Sequence, residues 1–557
     1  MKLSVRAGLS GVAAAAVAVG AAEVVAVLTG PLSAPLIAVG GVVVDNVPAA
    51  VKDFGVRVFG VHDKTALIVG TSILLAAYAY GVGVAALRSW RLAVGGIGLF
   101  ALVGVLAALT RHDAGVFAWL PTVAGAALAV WTLRLLLEQA GVLPAEAAPA
   151  RTPAEEQAAW AGVLGTRAGT GRSATTGNIP QRADGPDHDG ASTARPGAGQ
   201  DPYGKGRRGF LQGLGIAAGV AVVSGLAGRW LTSRQAVTAA RSEVVLPKPR
   251  QTAPPVPAGV QVPGVTPYIS PNKDFYRIDT ALIPPRVDPT TWQLRIHGMV
   301  RNPITITWEQ LLQRPMIERY VTLACVSNEV GGDLIGNALW LGTPIRELLE
   351  EAGPLPGADQ VIQRSVDGWT CGSPTSALMD GRDALLAVGM NSEPLPVNHG
   401  FPVRMVVPGL YGYVSACKWI TEIELSRFSD FDAYWVPRGW AAQAPIKTES
   451  RIDTPRDGGK RPAGTVVVGG VAWAQHRGIT KVEVQVDDGE WAEASLAATV
   501  SSDTWREWSW SWPATAGEHS LRVRATDGQG VTQTSTPAPP APDGASGWHQ
   551  IRVGIEG

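Results

Sequence analysis

Cysteine is scarce in this chain, with three in 557 residues, at positions 325, 371 and 417. So few thiols each need their own account. For Cys325, which closes the apolar run YVTLA just before a polar turn, three are open: a buried structural thiol, half of a disulfide, or a metal ligand. Excess charge is missing too. The 47 basic residues balance the 47 acidic ones, which excludes a whole-surface attraction to nucleic acid. The mixed strand-and-helix stretch from about 266 to 428 has no G-x-G-x-x-G and no Walker pattern, so a nucleotide-binding fold is unsupported there. No C-x-x-C-H and no His-Pro-Gly-Gly occurs, His62 and His112 fall at helix ends, and no histidine pair lies within an apolar run. Haem iron needs such axial ligands, so no haem is expected.

What is present divides sharply. The length exceeds a single core and calls for a multi-domain protein. Only 17% of residues are charged, and the apolar excess lies in the first 140 residues, which read as a four-helix transmembrane region. Its runs, at about 8–29, 65–87, 92–110 and 115–137, each suffice for the ~20 residues that a bilayer requires. Between the first two, SAPLIAVGGVVVDNVPAAVKDFGVRVFG carries Asp45, Asn46, Pro48, Lys52 and Asp53, and is read as a re-entrant or surface-lying piece. Asp45 and Glu23 are the ionisable residues at membrane depth, where function is the default suspicion and a cavity-facing or interfacial acid the plainer account. A fifth helix is expected over 207–231.

Basic residues set the orientation. Lys2, Arg6, Arg88, Arg91, Arg134, Arg207 and Arg208 all fall on one side if five helices span. The N-terminus is then cytoplasmic, and everything after about 232 lies outside a multi-pass cell-membrane protein. GRRGFLQGLG, at the start of the fifth helix, resembles a twin-arginine export signal, although ordinary positive flanking would also place two arginines there. Such a signal implies export of an already folded domain, commonly one with a cofactor inserted beforehand.

Residues 141–206, rich in Ala, Gly, Pro, Thr and Arg without periodicity, read as a disordered cytoplasmic linker. The span 232–265 contains PKPRQTAPPVPAGVQVPG and reads as an extended linker holding the outer domain off the membrane. From 266 to 440 strands and short helices mix in an α+β pattern. WQLRIHGMV alternates like a half-buried strand, ITWEQLLQRP and TPIRELLEEAG read as short capped helices, the second ending at Gly353, and FPVRMVVPG and WITEIELS are strand-like. From 446 to 557 the pattern is purely β. TVVVGGVAW, KVEVQVDDGEW, REWSWSWP, HSLRVRATDG and HQIRVGI alternate with turns at the spacing of an immunoglobulin-like sandwich, and VDDGEW is a hairpin turn.

The stretches RYVTLACVSNEVGG, GNALWLGTPIRELLEEAG, LLAVGMNSEPLPVNHGFPVRMVVPGLYGYVSACKWI and GWHQIRVGI, in that order, resemble the sulfite oxidase family of molybdopterin-dependent oxidoreductases. GVAWAQHRGITKVEVQVDDGEWAEA is similar to the start of that family's C-terminal dimerisation sandwich, so the resemblance covers roughly 266–557. It implies that Cys325 gives its thiolate to molybdenum, a role that suits a soft donor beside a dithiolene pterin. It also implies that His399, Arg404 and Lys418 anchor the pterin and its phosphate, which favours forked guanidinium and ammonium donors. Arg277, in FYRIDTAL, is a further candidate contact, and Asn328 either meets the cofactor or shapes the turn after Cys325.

Departures from the family matter as well. Where its members carry an arginine pair after the metal cysteine, this chain has Glu329 and Val330, and a carboxylate there should repel an oxyanion. Trp340 should pack in the core. Cys371 and Cys417 are open between a disulfide and free buried thiols. The resulting expectation is a membrane-anchored, molybdenum-dependent oxygen-atom-transfer enzyme acting outside the cytoplasm on a small oxyanion or on an S-oxide or N-oxide. A separate electron carrier or quinone would be its redox partner, and the sandwich makes it a candidate homodimer. The alternative of another class is a non-catalytic membrane scaffold or receptor that keeps the fold and uses the sandwich for binding.

Overall fold

The computed structural model describes residues 2–30, 33–47, 51, 58, 63–110, 115–143, 210–224, 240–259 and 262–557. Arg207, Arg208, His62, His112, Pro48, Lys52, Asp53 and nearly all of the 141–206 segment lie outside these residues. The chain divides into two compact units, one formed by Met1–Ala21, Ser72–Ala101 and Val123–Gly225, the other by Ala22–Thr71, Leu102–Thr122 and Leu226–Gly557.

The N-terminal half is helical: α1 (Leu3–Thr29), α2 (Pro35–Asn46), α3 (Asp63–Ala85), α4 (Trp90–Leu109) and α5 (Leu120–Gln139), followed by α6 (Phe210–Ser224). The helices α1, α3, α4 and α5 contain segments long and apolar enough to cross a membrane. Glu23 lies on α1. At 1.5 Å per residue the 12 residues of α2 extend about 18 Å, short of a hydrocarbon core of about 30 Å, in keeping with a piece that does not span. The described part of the fifth expected span is the shorter α6, and 225–231 fall outside the described residues. Within the first unit, small residues let helices touch through their backbones. A Cβ on Gly11 would run into the Ala79 carbonyl, and one on Gly83 into that of Ala7.

Between 293 and 426 run β1 (Gln293–Gly298), β2 (Ile304–Thr307), β3 (Ile317–Ala324), β4 (Ile335–Pro344), β5 (Gln360–Ser365), β6 (Thr370–Pro374), β7 (Leu385–Met390), β8 (Glu393–Pro394), β9 (Arg404–Val406) and β10 (Ile420–Ser426). They form two sheets, ordered β2-β1-β10-β5-β6 and β3-β4-β7-β8, with β9 on β7. Short helices α7 (Trp308–Leu312), α8 (Ile345–Ala352) and α9 (Thr375–Met379) link them. In β1, Leu294 and Ile296 point inward while Gln293 and Arg295 stay exposed, so alternation decides its register. Thr307 and Gln310 close a reciprocal capping box on α7. Helix α8 lacks a side-chain cap because it starts after Pro344, and it stops at Gly353 in the left-handed region.

The remainder is a β-sandwich of β11 (Glu449–Thr454), β12 (Gly459–Pro462), β13 (Gly464–Trp473), β14 (Ile479–Val486), β15 (Trp491–Glu493), β16 (Ser495–Leu496), β17 (Arg506–Ala514), β18 (Gly517–Asp527) and β19 (His549–Glu556). Its sheets run β11-β13-β17-β16 and β12-β19-β18-β14-β15. The turn after β14 is tight, with Asp487 at positive φ. Strict alternation fails in β13, whose last six residues are all buried. There Val471 and Trp473, with Trp505, belong to the core of the preceding α+β domain. The contact is also polar. Trp505 N donates to Thr322 Oγ1 at 2.8 Å, Gln475 Nε2 to the Thr322 carbonyl at 3.1 Å, and Arg451 Nη1 to the Gly332 carbonyl at 2.7 Å. Both β3 and the loop after it are therefore gripped from the sandwich.

The proline-rich segment before the domain is extended, as its prolines dictate, but it lies along the domain instead of standing free. Arg241 donates to the Leu395 and Pro394 carbonyls, and Arg250 N and the Gln251 carbonyl pair with Met316 and Glu318 beside β3.

Candidate active site

A cleft of about 780 Å³, including its open mouth, lies where β3, β9, the turn before β10 and the segment 275–280 meet. Cys325 reaches it because β3 ends one residue earlier. Its backbone N–H is held by the Leu334 carbonyl at 2.9 Å, and the residue is 8% exposed. Burial pushes the Cys325 thiol up from its ordinary pKa, opposed by hydrogen bonds from Ser327 and by the Lys418 charge. Asn328 turns away from this chemistry. Its Oδ1 accepts the Leu334 N–H at 2.8 Å, and it is not among the described residues lining the cleft.

His399 ends a short helical turn, Val397–His399. Its Nε2 lies 3.0 Å from the Asn272 carbonyl. A carbonyl only accepts, so Nε2 carries the hydrogen and Nδ1 is left as an acceptor. Burial, with Arg404 beside it, pushes the imidazole down to about 4, so the ring is neutral at physiological pH. Gly400 follows with φ at +110°, and a Cβ there would stand 3.0 Å from that of Arg404 and 3.2 Å from that of Lys418. Only glycine lets the two cations close up.

Arg404 opens β9 opposite Lys418. Its guanidinium lies over Trp340 at 5.0 Å, and Trp340 itself is fully buried, as expected. Arg404 is 5% exposed, yet its hydrogen bonds are two long ones, to the carbonyls of Met405 at 3.3 Å and His399 at 3.2 Å. No carboxylate pairs with it among the described residues, and burial pushes it down to about 10. A buried, unpaired guanidinium costs several kcal/mol unless an anion joins it. The donor set of the cleft thus asks for an anionic group beside a thiol.

Lys418 already has a partner. Its Nζ meets Asp279 Oδ2 at 2.6 Å, and Arg277 Nε meets the same oxygen at 2.9 Å. Burial pushes Lys418 down to about 8 despite that carboxylate. Arg277 is not itself among the described lining residues and reaches the cleft through Asp279. The structure therefore brings together Cys325, His399, Arg404 and Lys418, adds Arg277 at one remove, and leaves Asn328 in the turn.

The acidic residue near the cysteine requires a correction. Glu329 is exposed and not among the described lining residues, because the turn held by Asn328 directs it outward. The cleft's carboxylates are Asp279 and Asp367, neither of which the sequence reading singled out. Asp279 could have been suspected from its place two residues after Arg277, whereas Asp367 sits in SVDGW, which signals only a turn. Burial raises the Asp367 pKa, against hydrogen bonds from Ser365 and Trp369. Tyr276 stays protonated, since burial and neighbouring Cys325 both raise it. Cys371 and Cys417 are free and fully buried, and the Cys417 thiol is held well above its ordinary range by burial and by Cys371 beside it.

Comparison with known proteins matches residues 281–435 to the oxidoreductase molybdopterin binding domain and 449–523 to a bacterial Ig domain. The chain is 28% identical over 321 residues to human mitochondrial sulfite oxidase, covering 49% of this chain and 58% of that protein. It is 31% identical over 176 residues to YuiH of Bacillus subtilis, an uncharacterized oxidoreductase, covering 31% of this chain and 85% of that protein. Among solved structures, the sulfane dehydrogenase SoxCD of Paracoccus pantotrophus matches 49% of this chain and 76% of its own at 23% identity and a TM-score of 0.44, too loose a likeness to argue from. The match thus spans a little over half the length of the human enzyme. With the cleft, the ordered motifs and the extent of the YuiH match, the chain belongs to the sulfite oxidase family of molybdopterin-dependent oxidoreductases.

Proposed function

We propose that this chain is a membrane-anchored oxygen-atom-transfer enzyme whose cleft holds a molybdenum–pterin cofactor outside the cytoplasm. The observation that carries the reading is Arg404: a buried guanidinium with no carboxylate partner among the described residues, in one cleft with Lys418 and a cysteine thiol. These residues fit the cofactor. Arg404 and Lys418 would hold its phosphate, His399 offers an acceptor to a pterin N–H, Arg277 steadies the anionic side, and Cys325 is the metal ligand. The cofactor, when bound, supplies two-electron oxygen-atom exchange with the substrate.

The residues prepare the site for it. Cys325 must release its proton on ligation, which the Ser327 hydrogen bonds and the Lys418 charge favour against burial. An arriving phosphate would raise the Lys418 pKa again and hold the ammonium charged. Tyr276, Tyr413, Trp369 and Trp435 give the cleft an aromatic lining, and Asp279 and Asp367 add carboxylates. The aromatic walls favour an S-oxide or N-oxide that carries an apolar group over a bare oxyanion. The reading carries a membrane anchor of helices α1 and α3–α5 plus the fifth span, a separate redox partner, and pairing of two chains through the sandwich.

Metal analysis of the purified chain tests it. Near-stoichiometric molybdenum, with a sulfur-ligand signature in X-ray absorption that Cys325→Ser removes, is the expected result. Folded, metal-free protein would support a scaffold instead. A panel of sulfoxides, N-oxides and oxyanions, followed by metal-centred absorbance, then selects the substrate.

A further inference from the structure

Asp45, the acid at the end of α2, is engaged by the domain that holds the cleft. Its Oδ1 accepts a hydrogen bond from Tyr434 Oη at 3.1 Å, and its backbone carbonyl one from Arg438 Nη2 at 2.9 Å. The Arg438 guanidinium in turn stacks on the Tyr434 ring at 3.7 Å. A second contact lies seven residues from the first cleft residue of its own strand of chain: α2 brings Gly40 so close to Leu282 that a Cβ would stand 2.8 Å from Leu282 Cδ1. Both contacts fall beside walls of the cleft, since Thr280, two residues before Leu282, and Trp435, next to Tyr434, line it.

The helix is tied at its other face to membrane-length sequence. Ala38, Val39 and Val42 pack with Ala107 and Ala108 at the end of α4, and with Ala118. An apolar helix too short to span, bonded through its terminal acid to the domain that holds the cleft, belongs at the membrane surface. Tyrosine and tryptophan are the side chains favoured at that level, and here they form a continuous run. Ring centroids of Tyr434 and Trp435 are 5.1 Å apart, those of Trp435 and Trp440 6.2 Å, and those of Trp440 and Tyr413 5.7 Å. Tyr413 and Trp435 face the cleft. Ile278 and Ile283, 45% and 38% exposed, put aliphatic surface on the same rim.

We propose that α2 is a dock that fixes the mouth of the cleft at the membrane surface, and that the rim between α2, Ile278 and Trp435 receives a lipid-soluble carrier of the quinone class. This rests on the oxygen-atom-transfer reading and names the redox partner of that site. The balance closes with an S-oxide as substrate: the quinol gives two electrons and two protons, the S–O bond breaks, the oxygen leaves as water, and sulfide and quinone remain. A carrier confined to the bilayer can deliver these electrons only where the protein holds the site against the lipid.

The test uses the full chain in lipid nanodiscs. Asp45→Cys with Arg438→Cys should be joined by a bifunctional thiol reagent spanning about 10 Å, because the length of the arginine side chain holds the two backbones too far apart for a direct disulfide; mass spectrometry of the joined peptides reads it, and the native thiols are buried. A photoreactive naphthoquinone should label residues 35–46, 278–283 or 431–440, with unlabelled menaquinone competing. Asp45→Asn with Tyr434→Phe, and separately Trp435→Ala, should lower that labelling roughly tenfold, as expected for lost contacts of ordinary strength. Absence of that crosslink in folded protein overturns the dock. Labelling that is uncompeted or spread over the other helices overturns the carrier. Neither readout needs metal, so an empty cleft in the same sample would sink the catalytic reading separately.

Discussion

Asp279→Asn asks whether the cations of the cleft depend on an internal counter-ion. The amide keeps the shape of the side chain and removes its charge. Lys418, whose side chain is 10% exposed, then loses the oxygen 2.6 Å away and stays buried. Arg277, 32% exposed, can turn to water and loses little. Breaking a buried pair by removing one partner costs about 3–5 kcal/mol. At roughly 2–4 °C per kcal/mol for a domain of this size, the melting temperature of the domain that holds the cleft should fall by roughly 6–20 °C. Deprotonation of Lys418 is the escape. Its pKa, already pushed down to about 8, drops further in the variant, so the deficit should shrink as pH rises towards 8 and beyond. The assay is thermal unfolding of the full chain in detergent for Asp279→Asn, Lys418→Met and the double variant. Removing both charges should recover most of the loss. A single variant indistinguishable from wild type, or a double variant as unstable as the single, would refute the buried-pair argument.

Three further outcomes follow from the same geometry. His399 is pushed down to about 4 from 6.5, so the unfolded chain takes up its proton first; stability is complete above 6.5 and about 3 kcal/mol is lost as pH falls to about 4, which denaturant melts should show and His399→Asn should flatten. Burial pushes Glu449 up to about 8 from 4.5, so its contribution is complete below 4.5 and lost as pH rises through 8; Glu449→Gln should stabilise the protein above pH 8 and change little in acid. Gly412→Ala places a methyl in ordinary contact, 3.6 Å from Ala416 Cβ and 3.8 Å from Tyr276 Oη. The melting temperature should hold within a few degrees while substrate KM rises, because the methyl occupies space near Cys325.

Sequence reached the elements whose side chains face one partner each. The alternation of β1, the stop of α8 at Gly353 and the tight turn at Asp487 are all local consequences of pleat, helix cap and hairpin geometry. It failed where a second layer covers the first. The unbroken burial of β13 and the docking of the proline-rich segment depend on contacts with distant parts of the chain. The same division runs through the cleft. His399, Arg404 and Lys418 were found because family motifs carry them, whereas Asp279 carries no mark beyond its nearness to Arg277 and Asp367 becomes visible only when the chain folds it into the same cleft as Lys418. Glu329 misled for the converse reason: four residues from Cys325 in sequence, it is turned outward by the hydrogen bond that Asn328 makes.

The hold of the sandwich on β3 bears on how this protein can be cut. A fragment stopped near residue 440 would leave the Thr322 hydroxyl and the Tyr268 carbonyl without the two nitrogens that Trp505 now brings to them. It would also open a hole the size of an indole under the strand that ends at Ala324, one residue before Cys325. Truncation should therefore slacken Cys325, the proposed metal ligand, before it unfolds anything else, and an exchange of sandwiches between relatives would succeed only if the incoming module carried its own plug for that socket.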